Sequence, residues 1–318
     1  MRIVFMGTPE FAVASLEALL KNDYNVVAVV TAPDKPAGRG QQLHQSAVKK
    51  YALENNLKLL QPEKLKSPTF ISELEKLNID LQIVVAFRML PEIVWNLPKH
   101  GTYNLHGSLL PKYRGAAPIN WAIINGENKT GVTTFKLKQE IDTGNILFNE
   151  EVEISNTTTA GDLHDTLMIK GAALVVKTVK AIQTSINENV ELEFIAQDDH
   201  DVCHAPKIFK ETCKINWNDT NVNIYNLIRG LSPFPTAYSE IRTGSGTPQL
   251  VKIFYATFEN FTHNEANGSL ATDNKTFMRV FCKRGFIEIT DLQLQGKKRM
   301  KVQDFLRGFK IEDDTIFF

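Results

Sequence analysis

Cysteine is scarce in this chain. Its three residues, Cys203, Cys213 and Cys282, are an odd number without paired spacing, which excludes a disulfide framework and reads as reduced thiols of a cytoplasmic protein. Long apolar runs are missing too: no stretch reaches the about eighteen residues needed to cross a bilayer, so no membrane span is expected. The opening Met1-Arg2-Ile3-Val4-Phe5-Met6-Gly7 breaks at once into Thr8-Pro9-Glu10, which does not suit a secretory signal peptide. Charge of one sign is not in excess, since 36 Lys and Arg balance 36 Asp and Glu. Bulk nucleic-acid binding through a basic surface is therefore unsupported, and any RNA contact falls to local basic clusters. The G-x-G-x-x-G pattern is absent after the first apolar run, where Pro9 and Glu10 would hinder a pyrophosphate. That argues against a nicotinamide-dependent oxidoreductase.

What is present fits an ordinary globular protein of about two domains. The chain has 318 residues, 43% of them apolar and 23% charged. Ile3–Met6 reads as a strand, Glu10–Leu20 as a helix with apolar spacing through Phe11, Ala14, Leu16 and Leu19, and Asn25–Val30 as a buried strand without alternation. Further strands at Leu81–Ala86 and Thr102–Leu105, separated by helical segments, predict an α/β fold with a doubly wound parallel sheet. A long helix is expected from Ala160 to about Ile182, opening after Thr157-Thr158-Thr159. Periodicity then fades through Gln197-Asp198-Asp199-His200-Asp201. The expected organisation is a first domain over 1–189, a linker over 190–207 and a second domain over 208–318. In the last, Tyr225–Gly230 reads as a short helix. Leu250–Ala256, Phe277–Cys282 and Phe286–Ile289 read as short strands of a small barrel.

The densest chemistry lies in Asn104-Leu105-His106-Gly107-Ser108-Leu109-Leu110-Pro111, directly after a predicted strand, where doubly wound folds place ligands. Asn104 and His106 are two apart and so share one face of an extended backbone. A neutral amide donor beside an imidazole suits a developing oxyanion. Asp142, in the turn Glu140-Ile141-Asp142-Thr143-Gly144, is a candidate to orient His106 or relay its proton. Taken alone, an Asp before Thr-Gly is more often a turn former, and a lone His at a strand end more often a satisfied structural group. Spacing leaves the triad open. His200, Cys203 and His204 form too sparse a set to indicate zinc.

These motifs resemble the folate-dependent formyltransferases. The resemblance runs from Phe5-Met6-Gly7-Thr8-Pro9-Glu10-Phe11-Ala12 through Asn104-x-His106, Ser108–Pro111, Lys112-Tyr113-Arg114-Gly115-Ala116-Ala117-Pro118 and Asp142-Thr143-Gly144 to Ser232-Pro233-Phe234-Pro235-Thr236-Ala237. Pro33-Asp34-Lys35-Pro36-Ala37-Gly38-Arg39-Gly40 is similar to the basic loop of the members that act on tRNA. The resemblance implies a Rossmann-like catalytic domain with an OB-like C-terminal barrel. It further implies 10-formyltetrahydrofolate as donor and the α-amine of initiator methionyl-tRNA as acceptor, with no metal. By the same resemblance Asn104 and protonated His106 stabilise the oxyanion, and Asp142 orients His106 and assists proton removal. The pterin would lie against Arg88, Met89 and Leu90 and the corner Ser108, Leu109, Leu110 and Pro111. Arg88 stands where the family commonly has a small residue. Lys35 and Arg39, with Lys297, Lys298, Arg299 and Lys301, are the candidate tRNA contacts, since phosphates are met by Lys and Arg. The protein is expected to be a monomer. Transfer to a nucleotide sugar or purine precursor, hydrolysis of formyl-folate and a non-catalytic RNA-binding module are the alternatives.

Overall fold

The computed structural model describes residues 1–37 and 42–318. Its contacts divide it into two compact units, 1–115 with 130–153 and 164–204, and 116–129 with 154–163 and 205–318.

The first unit is built on a sheet of seven strands. Strand β1 (Ile3–Gly7) is buried throughout and leads into α1 (Glu10–Lys21), whose buried Phe11, Ala12, Ser15, Leu16 and Leu19 make one apolar stripe. β2 (Val26–Val30) follows, then α2 (Ala47–Glu54), capped by the Ser46 hydroxyl accepting from the Lys49 N–H at 3.0 Å. β3 (Leu59–Leu60), α3 (Pro68–Glu75), β4 (Leu81–Val85), α4 (Glu92–Trp95) and β5 (Thr102–His106) come next. The chain then forms α5 (Pro118–Ile124), which belongs to the second unit, before β6 (Lys129–Lys136), β7 (Ile146–Glu153) and α6 (Ala160–Glu188).

The strand order is β7-β6-β5-β4-β1-β2-β3. β1 is parallel to β2 and β4, β2 to β3, and β4 to β5, while β6 runs antiparallel to β5. The chain builds outward from β1 on one side and then starts again on the other, so β1 and β4 flank the switch point where such sheets bind ligands beyond their carboxyl ends. β4 and β5 are in register with Val85 opposite Leu105. The loops after them, carrying residues 86–91 and 107–111, therefore leave from adjacent strand ends. The expected doubly wound parallel sheet is present, as is the helix after Thr159. That residue accepts from the Asp162 N–H at 3.2 Å, and Asp162 accepts back from the Thr159 N–H at 2.9 Å, a reciprocal capping box.

The second unit contains α7 (Asn221–Leu231), packed on α5, and a curled antiparallel sheet. Its strands are β8 (Ala237–Thr243), β9 (Gln249–Glu259), β10 (Leu270–Thr272), β11 (Met278–Phe281), β12 (Phe286–Leu294), β13 (Met300–Lys301) and β14 (Thr315–Phe317), with α8 (Val302–Gly308) before the last. The order is β10-β11-β12-β9-β8-β14, with β13 on β12. A bridge between Ser269 and Ile316 and the Phe317 N–H donating to the Gly268 carbonyl at 2.9 Å bring the two edge strands together. The sheet is thus a nearly closed barrel around Ile253, Val251, Val280, Ile287, Ile289 and Phe317. Segments 116–129 and 154–163 are tied into this unit. Asn120 donates to the Gly230 carbonyl at 2.7 Å, and Arg229 donates to the carbonyls of Ser155 and Thr158 at 3.2 and 3.1 Å.

Candidate active site

The site grows from the carboxyl end of β5. Asn104 lies opposite Phe135 and His106 opposite Thr133 on β6. His106 is 7% exposed. Its Nε2 lies 2.8 Å from the Tyr113 carbonyl, and a carbonyl only accepts, so Nε2 carries a proton and donates. The other edge, Nδ1, faces Asp142 Oδ2 at 3.8 Å, too far for a formed hydrogen bond. The ring is thus fixed through one nitrogen and leaves the other for chemistry. Asn104 is half-buried, and its side-chain amide has no hydrogen-bond partner among the described residues.

Asp142 is held from two directions. The Gly115 N–H donates to Oδ2 at 3.0 Å, and the Gln197 amide donates to the carbonyls of Asp142 and Gly144 at 2.8 and 2.7 Å. Gln197 is itself oriented by Arg114, whose Nε and Nη2 donate to Gln197 Oε1 at 3.1 and 2.8 Å. Asp142 adopts φ 56°, a left-handed conformation that Asp tolerates better than most residues. Gly144 is required for the turn to fit, because a Cβ there would stand 1.7 Å from the Lys136 carbonyl oxygen.

The Ser108–Pro111 corner is pinned to the sheet. Thr133 Oγ1 donates to the Ser108 carbonyl at 2.7 Å and accepts from the Leu110 N–H at 3.2 Å, and Ser108 Oγ donates to the Lys112 carbonyl at 2.6 Å. Leu110 packs with Phe135 and Ile146. On the neighbouring loop, Leu90 is buried and Met89 exposed, while Arg88 donates to the carbonyls of Pro62 and Glu63 and fastens that loop to the chain after β3. Among the described residues, no group of His, Cys, Asp and Glu could hold a metal ion.

Residues 1–179 match the family described as Formyl transferase, and residues 207–310 match Formyl transferase, C-terminal domain. The chain belongs to the formyl transferase family. A methionyl-tRNA formyltransferase of Bacteroides thetaiotaomicron is 52% identical over 317 residues, covering 98% of this chain and 97% of its own length. That of Phocaeicola vulgatus is 54% identical over 317 residues, covering 99% and 98%. Among solved structures, the sugar 3N-formyl transferase WlaRD, determined with dTDP and 5-N-formyl-THF, aligns at TM-score 0.66 with 24% identity over 94% of this chain and 99% of its own. HypX of Aquifex aeolicus, in complex with tetrahydrofolic acid, aligns at 0.64 with 18% identity over 98% of this chain and 48% of its own. These two likenesses are of fold.

In this formyltransferase the structure brings Asn104, His106 and Asp142 to one place, with Ser108–Pro111 joined to them through Thr133. The expected tRNA contacts stand apart in the chain. Lys35 lies in a short ladder of 35–37 with 42–44 in the first unit, and Lys297, Lys298, Arg299 and Lys301 lie on exposed positions of the second. Arg39 lies outside the described residues. Arg299 and Lys301 are not independent cations, because both bind Asp291. Lys49 is likewise paired, with Asp34 at 2.6 Å. Three participants escape a reading by sequence: the Tyr113 carbonyl, Thr133 and Gln197. Thr133 has a faint signal, as a hydroxyl set among Val132 and Phe135 in a buried strand. Gln197, in the stretch expected as linker, has none.

Proposed function

We propose that this formyltransferase moves the formyl group of 10-formyltetrahydrofolate onto the α-amino group of initiator methionyl-tRNA, giving formylmethionyl-tRNA for translation initiation. The observation that carries the reading is the His106 ring, fixed at Nε2 by a main-chain carbonyl with its Nδ1 edge toward Asp142, beside the unpartnered Asn104 amide. The choice of acceptor is supported by relatives of that name at 52% and 54% identity over nearly the whole chain. The fold neighbours that act on sugars stand at only 24%.

As the amine attacks the formyl carbon, negative charge develops on the formyl oxygen. Asn104 meets it with a neutral N–H donor, and His106 with a proton on Nδ1, both preorganised by the sheet. Asp142, next to that nitrogen, draws the proton leaving the amine. As the oxyanion collapses, the bond from the formyl carbon to N10 of the folate breaks and tetrahydrofolate leaves with that proton. The Ser108–Pro111 corner and residues 88–90 hold the folate, offering apolar contact from Leu90, Leu110 and Met89. Catalysis then rests largely on placing two substrates together. We assign residues 1–189 to catalysis, 190–207 to the connecting segment and 208–318 to holding the tRNA. Lys35, Arg39, Lys297, Lys298, Arg299 and Lys301 contact its backbone, and the enzyme acts as a monomer in the cytoplasm.

Transfer of labelled formyl from 10-formyltetrahydrofolate to methionyl-tRNA, with uncharged tRNA and water-only controls, tests the activity. Label in the charged tRNA alone is the expected outcome, and formate release without transfer would identify a hydrolase instead. His106→Ala and Asp142→Asn should each lower turnover by ~10²–10⁴. Near-normal turnover in His106→Ala would overturn the assigned chemistry.

A further inference from the structure

Asp291 on β12 has a side chain only 6% exposed, and three strands converge on it. It lies opposite Tyr255 of β9 on one side and Lys301 of β13 on the other. β9 shifts register on both sides of Tyr255. Such a bulge re-aims consecutive side chains, and here Phe254 and Tyr255 both reach the Arg299 guanidinium, whose carbon lies 4.4 and 5.3 Å from the two ring centroids. Arg299 Nε donates to Asp291 Oδ1 at 2.6 Å, and Lys301 Nζ lies 2.9 Å from Oδ2. Burial pushes the Asp291 carboxyl up, but the hydrogen bonds from Arg299 and Lys301 outweigh it and hold the group below the usual carboxylate range.

One buried anion with two cations leaves one positive charge in excess, and both cations still reach solvent, at 40% and 64% side-chain exposure. The nitrogen that Asp291 engages is Nε, not the Nη pair. A guanidinium gripped at Nε and stacked on aromatic rings keeps its planar fork in one orientation, the geometry that matches a phosphate. A free surface arginine would have to give up rotamer freedom to reach the same pose.

We propose that Asp291 is a positioning residue for RNA: it aims Arg299 so that Nη1 and Nη2 form a ready fork for a backbone phosphate of the tRNA. Lys297 and Lys298 then supply attraction without direction. This rests on the reading that the 297–301 run meets the tRNA.

The sign of one effect separates aiming from charge alone. Asp291→Asn adds a net positive charge to the patch, so a surface acting by charge binds RNA more tightly, whereas an aimed fork loses its grip. With the full-length enzyme, Asp291→Asn is expected to raise KM for methionyl-tRNA by about tenfold, the size of one charge-assisted hydrogen bond. KM for 10-formyltetrahydrofolate and kcat should stay as in the wild type. Arg299→Lys, which keeps the charge and removes the fork, is expected to do the same, and it carries the test alone if Asp291→Asn lowers the yield of folded protein. An unchanged or lower KM for methionyl-tRNA in Arg299→Lys overturns the proposal, as does a lower KM in a folded Asp291→Asn. The Lys297→Ala/Lys298→Ala double variant separates the two layers. If it alone raises KM for tRNA and flattens the salt dependence, the run meets RNA by charge only and the role of Asp291 falls. If no variant in the run changes KM for tRNA, the reading of the run as an RNA contact falls with it.

Discussion

Thr133 on β6 is fully buried and pins the Ser108–Pro111 corner to the sheet with a single hydroxyl. Thr133→Val keeps the shape but leaves the Leu110 N–H and the Ser108 carbonyl without that partner, and an unpaired buried polar group costs roughly 1–3 kcal/mol. The expected result is a loss of about that size in denaturant unfolding, together with a raised KM for the folate donor. A wild-type KM in the folded variant would show that the corner holds its shape without the threonine. At this scale the sequence is legible only where partners are close along the chain. Asn104 and His106 share a face because they are two apart. The partners that fix their surroundings are distant, 25 positions between Thr133 and Ser108 and 55 between Gln197 and Asp142. They follow from strand register and chain path, which no local pattern carries.

At the scale of elements, two glycines mark where backbone must approach backbone. Gly144→Ala would set a Cβ against the Lys136 carbonyl oxygen, forcing the turn to move and Asp142 with it. Turnover should fall much more than stability, which parallel activity and melting measurements would show. Gly268 sits at φ +87°, and a Cβ there would lie 2.2 Å from the Phe317 carbonyl oxygen. Gly268→Ala should therefore loosen the closure of the barrel and lower its stability by about 1–3 kcal/mol. A melting curve unchanged from wild type would mean that the edge strands meet without this contact. β1, β2 and β4 read clearly from sequence as near-continuous apolar runs buried on both faces, whereas β3, two residues long, is not among the expected strands. The barrel reads less well. β10 and β14 are three residues each and are strands by virtue of what they pair with. α6 continues past Ile182 to Glu188 through Thr184, Ser185 and Asn187, which carry no apolar stripe.

Over the whole molecule, a balanced net charge leaves stability to individual buried groups. Tyr103, next to Asn104 and stacked on Phe194 with centroids 6.5 Å apart, has its hydroxyl pushed by burial from 10.0 up to about 12. A pKa raised in the folded state means that this contribution is complete below about pH 10 and is lost as pH rises through about 12. The difference amounts to roughly 2–3 kcal/mol. Denaturant midpoints should therefore fall in that alkaline window, and the fall should be smaller in Tyr103→Phe. The interleaving of the two units has a different kind of consequence, one of timing. Ala122, Ile123 and the 154–163 stretch leave the ribosome long before α7, on which α5 packs. At about 5–20 residues per second, the hundred or so residues between α5 and the end of α7 take on the order of 5–20 s to make. For that interval the early segments of the second unit have no partner, so a nascent chain stalled near residue 200 would expose apolar surface that the finished enzyme hides. Cutting the gene at the apparent linker would make the same exposure permanent.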